Sequence, residues 1–304
     1  MTRIKNAVIE AVLSILIGFL CLPAWSKEQA EPQKPWMVSG GGGTKIAVYE
    51  YGSPTGPEIL LVHGFSQSHL SWAKQYKAPE LQKFRIVVID LRGHGASEKP
   101  TNVESYNNGK VWADDINAVL EAKKLRKPVI VGWSYGGFIV SDYVRQYGDT
   151  NLGGIIFVCA GAQVGTEDAK TLYGPGMKPL LGMIDPRQEI NIPSTAEFIR
   201  ISTANPLSPE EFQEAFAYNM AVSPEVRLGL FSRTIDSNDA LTKIKVPVLI
   251  VQGEKDAIVL VAAADYIAAR IKHAKKSYYP NAGHIPFVED SERFNREVAA
   301  MATR

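Results

Sequence analysis

The chain has 304 residues, 45% of them hydrophobic and 21% charged, with a formal net charge of +1. That balance excludes a disordered or collagen-like chain, and no period of about 20 to 50 residues marks a repeat array. A near-neutral chain also has no strongly basic face for phosphate backbones, which argues against nucleic acid as a partner.

Residues 1–26 are expected to be a signal peptide. Arg3 and Lys5 precede the apolar run Ala11 to Leu22, and Ala24-Trp25-Ser26 puts small residues at the −3 and −1 positions of a cleavage site. The run is shorter than the ~20 residues of a spanning helix. No stable membrane span is therefore expected after cleavage, and the mature chain should be periplasmic or secreted. Bulky Leu20 before Cys21 argues against lipidation. Cleavage would remove Arg3, Lys5 and Glu10, leaving a formally neutral chain. It would also remove Cys21, so Cys159 has no disulfide partner and reads as a small buried hydrophobe.

Residues 27–42 form a lead-in, with a loose stretch over 27–38 that contains Pro32 and Pro35. Gly40 to Gly43 follows; it lacks the G-x-x-x-x-G-K-[ST] spacing of a phosphate loop and reads as a turn before the first strand. The pattern then predicts strands at Lys45–Tyr51, Glu58–Val62, Arg85–Ile89, Val129–Val131, Gly154–Val158, Val246–Val251 and Ser277–Tyr279. Their short β-branched runs, with both neighbours apolar, suit a parallel sheet covered on both faces. Helical spacing marks Ser105–Lys124, Phe138–Tyr147, Val261–Ile271 and Ser291–Met301. The alternation predicts an α/β fold with a mostly parallel, doubly wound sheet and helices on both faces.

One stretch, residues 165–237, breaks this rhythm. It shows no strand pattern, and prolines recur at 175, 179, 186, 193, 206, 209 and 224 among Phe198, Phe212, Phe216 and Met220. Prolines so spaced cut helices short, and the stretch is expected to be a helical cap inserted into a core made of 43–164 and 238–304.

Gly132-Trp133-Ser134-Tyr135-Gly136 matches G-x-S-x-G between an expected strand and an expected helix. That is the setting of a nucleophile elbow, where side chains flanking the serine would collide with strand and helix backbone. A serine hydroxyl needs a base. Of the five histidines, His284 lies in a loop after the last strand, near the carboxyl ends where sites in such sheets form. His273 sits among lysines, while His63 and His94 read as braces of buried turns. The third member should be a carboxylate after the preceding strand: Asp256 is best placed, with Glu254 the competitor. The order Ser, Asp, His suits this fold. Backbone N–H groups of Tyr135 and, after Leu61-Val62-His63-Gly64, of Phe65 are the expected oxyanion donors. No cofactor is required, and the sequence carries no metal-ligand cluster.

Taken together, His63-Gly64-Phe65, Asp90-Leu91-Arg92-Gly93-His94-Gly95-Ala96-Ser97, Gly132 to Gly137, Asp256 and Asn281-Ala282-Gly283-His284 resemble the α/β-hydrolase superfamily over about residues 43 to 301. The resemblance is to the branch holding bacterial esterases, cofactor-free haloperoxidases, carbon–carbon bond hydrolases and acyl-homoserine lactone lactonases. It implies an acyl-enzyme on Ser134, because relatives that form alkyl-enzymes carry aspartate at the elbow. The expected substrate is a small-molecule ester, with a lactone, perhydrolysis or carbon–carbon cleavage as alternatives. A hydrolase-fold ligand receptor is the alternative of another class.

Overall fold

The structure, a computed structural model, describes residues 33–304. The signal peptide expected over 1–26 and the first part of the lead-in lie outside the described residues. The strands are Trp36–Ser39 (β1), Lys45–Gly52 (β2), Glu58–Val62 (β3), Arg85–Asp90 (β4), Val129–Trp133 (β5), Gly154–Val158 (β6), Gln163–Val164 (β7), Ile235–Asp236 (β8), Val248–Gly253 (β9) and Lys275–Tyr279 (β10). Eight of them form one sheet in the order β1-β2-β4-β3-β5-β6-β9-β10. β2 is antiparallel to both β1 and β4, and every other pair is parallel. β7 and β8 pair separately.

Successive strand residues point to opposite faces, and both faces are apolar. Leu60, Val62, Val87, Ile89, Ile130, Ile155 and Phe157 join one core. It is closed by Gly109–Ala122 (α2, following the short Ala73–Tyr76, α1), Tyr135–Tyr147 (α3) and Val261–Arg270 (α9). Ile59, Leu61, Ile86, Val88, Val131, Ile156 and Val158 join the other, under Trp72 and the helices Pro286–Glu289 (α10) and Ser291–Ala302 (α11). Each such side chain contributes about 1.5–3 kcal/mol of transfer free energy. This two-sided burial explains why the strands read as continuous apolar runs.

The lead-in differs from expectation. Trp36–Ser39 is a strand, paired with β2 in register Trp36↔Val48 to Ser39↔Lys45, so Gly40–Gly43 turns between two strands. The alternation there was hidden by exposed Trp36 and Met37 on an edge. The turn is fixed from outside: Asp115 Oδ1 accepts from Gly41 N at 2.8 Å, while Arg92, paired with Asp115, donates to Gly41 O.

Residues 165–237 form Pro179–Met183 (α4), Gln188–Ile201 (α5), Pro209–Met220 (α6) and Pro224–Phe231 (α7), before Asn238–Leu241 (α8). Pro179, Pro209 and Pro224 begin helices, where a missing N–H costs nothing. Pro193 lies inside α5. Tertiary contacts carry that helix across it: Asn191 Nδ2 donates to Met183 O at 2.7 Å, and Phe198 and Ile199 are buried.

Candidate active site

The turn from β5 into α3 sets the site. Ser134 has φ 53° and ψ −115°, outside the regions a serine ordinarily occupies. Neighbours hold it there: Ser134 N donates to Val158 O at 2.9 Å, and Ser134 O accepts from Gly137 N and Gly161 N. The flanking glycines have the reason expected of them. A Cβ on Gly132 would come within 2.8 Å of Gly136 O, and one on Gly136 within 2.7 Å of Val62 O.

The turn after β3 faces this serine. A Cβ on Gly64 would sit 3.0 Å from Ser134 Cβ and 3.5 Å from its Oγ. The next residue, Phe65, has an N–H with no hydrogen-bond acceptor among the described residues. Tyr135 is the first residue of α3, where an N–H has no intrahelical partner. Tyr135 adjoins Ser134 in the chain, and Phe65 follows the glycine that packs against Ser134.

Two neutral histidines hold the Gly64–Ser66 turn. His63 Nδ1 bonds Gly64 O at 2.8 Å, and its Nε2 accepts from Leu91 N at 3.0 Å. His94 Nδ1 bonds Arg92 O, and its Nε2 accepts from Ser66 N at 3.2 Å. Burial is the main reason their pKa values fall, to about 4 for His63 and about 3 for His94. An uncharged ring keeps one nitrogen as an acceptor, which these bonds require.

Asp256, and not Glu254, meets His284. Asp256 Oδ2 bonds His284 Nδ1 at 2.7 Å with both side chains buried. Its other oxygen accepts from Ile258 N at 2.8 Å and Val259 N at 3.0 Å, which fixes the carboxylate plane. Glu254 is exposed. With Nδ1 donating to Asp256, Nε2 of His284 is the acceptor nitrogen. It and Ser134 Oγ have no hydrogen-bond partner among the described residues. His273 is exposed, bonded to Val246 O.

Several supports were invisible in the sequence. Trp133 Nε1 donates to His284 O at 2.9 Å, His284 N donates to Ser202 O at 2.9 Å, and Glu289 accepts from Gly283 N and Ala204 N. Trp133 lies in β5, and Ser202 and Ala204 lie just past the C-terminus of α5, all far from His284 in the chain, while Glu289 ends α10 a few residues after it. Cys159 is buried as expected but adjoins the dyad: its Sγ and ligand atoms of Asp256 and His284 lie within 4.8 Å of one another. The fold brings Cys159 to a pair of residues about 100 or more positions further along the chain, a grouping that no linear spacing marks. The donors suit a cation poorly. Burial first, and Asp256 second, raise the Cys159 thiol well above its ordinary range, and the carboxylate is already engaged with His284.

An apolar cleft of about 410 Å³ opens on Ser134, walled by Phe65, Phe138, Met177, Leu180, Phe198 and Phe231. A second cleft of about 650 Å³ lies behind Trp133 and includes Lys74, Glu211 and Tyr218.

This fold and elbow define the class of α/β-fold hydrolases. Residues 59–297 match the alpha/beta hydrolase family, and the chain belongs to it. It is 28% identical over 256 residues to the AB hydrolase superfamily protein YisY of Bacillus subtilis, covering 81% of this chain and 92% of that one. It is 29% identical to the bifunctional esterase/perhydrolase DCH of Acinetobacter calcoaceticus, covering 87% and 98%. Among solved structures, the esterase RhEst1 from Rhodococcus sp. ECU1013 superposes with a TM-score of 0.82 at 29% identity, covering 89% and 99%. Among the described residues, no helix is long and apolar enough to cross a membrane.

Proposed function

We propose that the chain cleaves small carboxylic esters through an acyl-enzyme on Ser134, with His284 as base and Asp256 orienting it. The observation that supports this reading is that Ser134, held at positive φ, lines one apolar cleft together with Phe65 and Tyr135. In the first half-reaction His284 Nε2 takes the Ser134 proton as Oγ attacks the ester carbon. The oxyanion gathers the two N–H donors, each typically contributing ~2.7–4 kcal/mol. Asp256 stabilises the imidazolium, which then protonates the departing alkoxide. Water, deprotonated by the same nitrogen, releases the acid and restores Ser134.

The esterase and esterase/perhydrolase names of RhEst1 and DCH support the ester reading for the acyl step. Residues 165–237 serve as the cap, their Met177, Leu180, Phe198 and Phe231 favouring an apolar acyl group. Residues 1–26 direct export to the periplasm or medium. The test is hydrolysis of p-nitrophenyl esters of increasing acyl length by residues 27–304, beside Ser134→Ala. Repeated turnover lost in the variant supports the proposal, and equal activity in both overturns it.

A further inference from the structure

Arg227, on α7, is 1% exposed and has no carboxylate partner among the described residues. A buried charge without a counter-charge is costly and is normally paired. Here every acceptor is neutral. Arg227 Nη1 donates to Met183 O at 2.9 Å, Asn191 Oδ1 at 3.0 Å and Thr195 Oγ1 at 3.4 Å, and Nη2 donates to Asn219 O. These ties gather α4, α5 and α6 around one guanidinium.

The remaining donor reaches out of that segment. Arg227 Nε bonds Ser66 Oγ at 3.0 Å, and the same hydroxyl donates to Asn219 O at 3.3 Å. Ser66 has φ 61°, a left-handed conformation that a serine seldom adopts unaided. It immediately follows Phe65. Its own N–H donates to His94 Nε2 at 3.2 Å. The positive charge of Arg227 also bears on His94, adding to the burial that keeps that ring neutral. A protonated His94 would lose the acceptor that Ser66 N needs.

We infer that Arg227 is a positioning residue that couples docking of the α4–α7 segment to the oxyanion site, by fixing Ser66 and so the direction of the Phe65 N–H. The inference rests on the proposed role of Phe65 as an oxyanion donor. A segment that has not closed leaves Ser66 free to relax from positive φ, and the hole is then incomplete. Because the N–H acts only on the tetrahedral state, loss of the strut lowers kcat and leaves KM for a p-nitrophenyl ester nearly unchanged. A purely structural arginine would instead change the amount of folded enzyme, with normal kcat in what remains.

The experiment compares wild type, Ser66→Ala and Arg227→Lys in residues 27–304. It measures kcat, KM, active-site content by fluorophosphonate titration, and affinity for a phenylboronic acid that mimics the tetrahedral state. Ser66→Ala removes one hydroxyl and is the variant that tests the inference if Arg227→Lys fails to fold. The expected result is a fall of about tenfold or more in kcat per titrated site, a matching loss of boronate affinity, and KM within about twofold. The double variant should be no worse than the poorer single one, because both break one strut. Wild-type kcat per site and wild-type boronate affinity in folded Ser66→Ala would overturn the inference while leaving the Ser134 mechanism intact. Absence of both turnover and labelling in wild type would instead overturn the ester reading, and this inference with it.

Discussion

The indole N–H of Trp133 donates to the backbone carbonyl of His284 at 2.9 Å. The residue before Ser134 therefore holds the loop that carries His284, although 151 positions separate them. Phe287 packs against the same indole, with ring centroids 4.8 Å apart, so Trp133 is anchored by a hydrogen bond and by aromatic packing.

Trp133→Phe keeps the packing and removes the donor. The buried carbonyl of His284 then lacks this partner, at a cost of about 1–3 kcal/mol. Urea denaturation should show that loss, and kcat should fall about tenfold as the base loses its fixed position. Unchanged kcat would mean that Ser202 and Asp256 hold His284 sufficiently alone.

Asp256→Asn is nearly isosteric but no longer favours the Nδ1–H tautomer of His284. By the precedent of Ser-His-Asp enzymes, kcat should fall on the order of 10⁴-fold. Glu254→Gln, at an exposed position, should change it less than twofold. Kinetics of the two variants side by side separate the alternatives that the sequence left open; similar losses in both would contradict the assignment.

Gly64→Ala should cripple catalysis more than folding. Its methyl would press on Ser134 Cβ at 3.0 Å and lie 3.5 Å from Oγ. Displacement of this order near reacting atoms costs about 10²-fold in rate. Circular dichroism and urea unfolding close to wild type, with kcat reduced about a hundredfold, is the expected combination. Wild-type kcat would show that the Gly64 turn and Ser134 are not in catalytic contact.

Acid should destabilise the fold before most carboxylates titrate. The pKa values of His63 and His94 lie near 4 and 3 in the folded chain, against 6.5 when unfolded. Below pH 6.5 the unfolded state therefore binds more protons, so stability rises with pH and is lost as pH falls. The slope approaches about 1.4 kcal/mol per pH unit for each histidine between about 6.5 and 4. Urea midpoints at pH 7, 6 and 5 should fall in step, and a constant midpoint would show that these rings can be protonated in place.

Much of this molecule is legible in its sequence because the signals are local. The strands Glu58–Val62 and Gly154–Val158 coincide with their apolar runs, and the elbow glycines announce a turn whose crowding the structure measures. Trp36–Ser39 was missed because the consecutive residues Trp36 and Met37 are both apolar and both exposed on an edge strand, which erases the alternation. The helix running through Pro193 was not foreseen because its stability comes from Asn191, Met183 and Arg227, residues brought together only by folding. The supports of the site, Trp133 to His284, Arg227 to Ser66 and Glu289 to Gly283, are long-range or conformation-dependent bonds with no pattern in a linear sequence.

Intact-mass and peptide mapping of the acid-quenched enzyme, caught while turning over a p-nitrophenyl ester, reads the central claim most directly. The expected result is a mass increase of one acyl group, mapped to the peptide containing Ser134 and absent from Ser134→Ala, which also loses turnover. An acyl group on another residue, or full turnover by Ser134→Ala, would contradict an acyl-enzyme at Ser134.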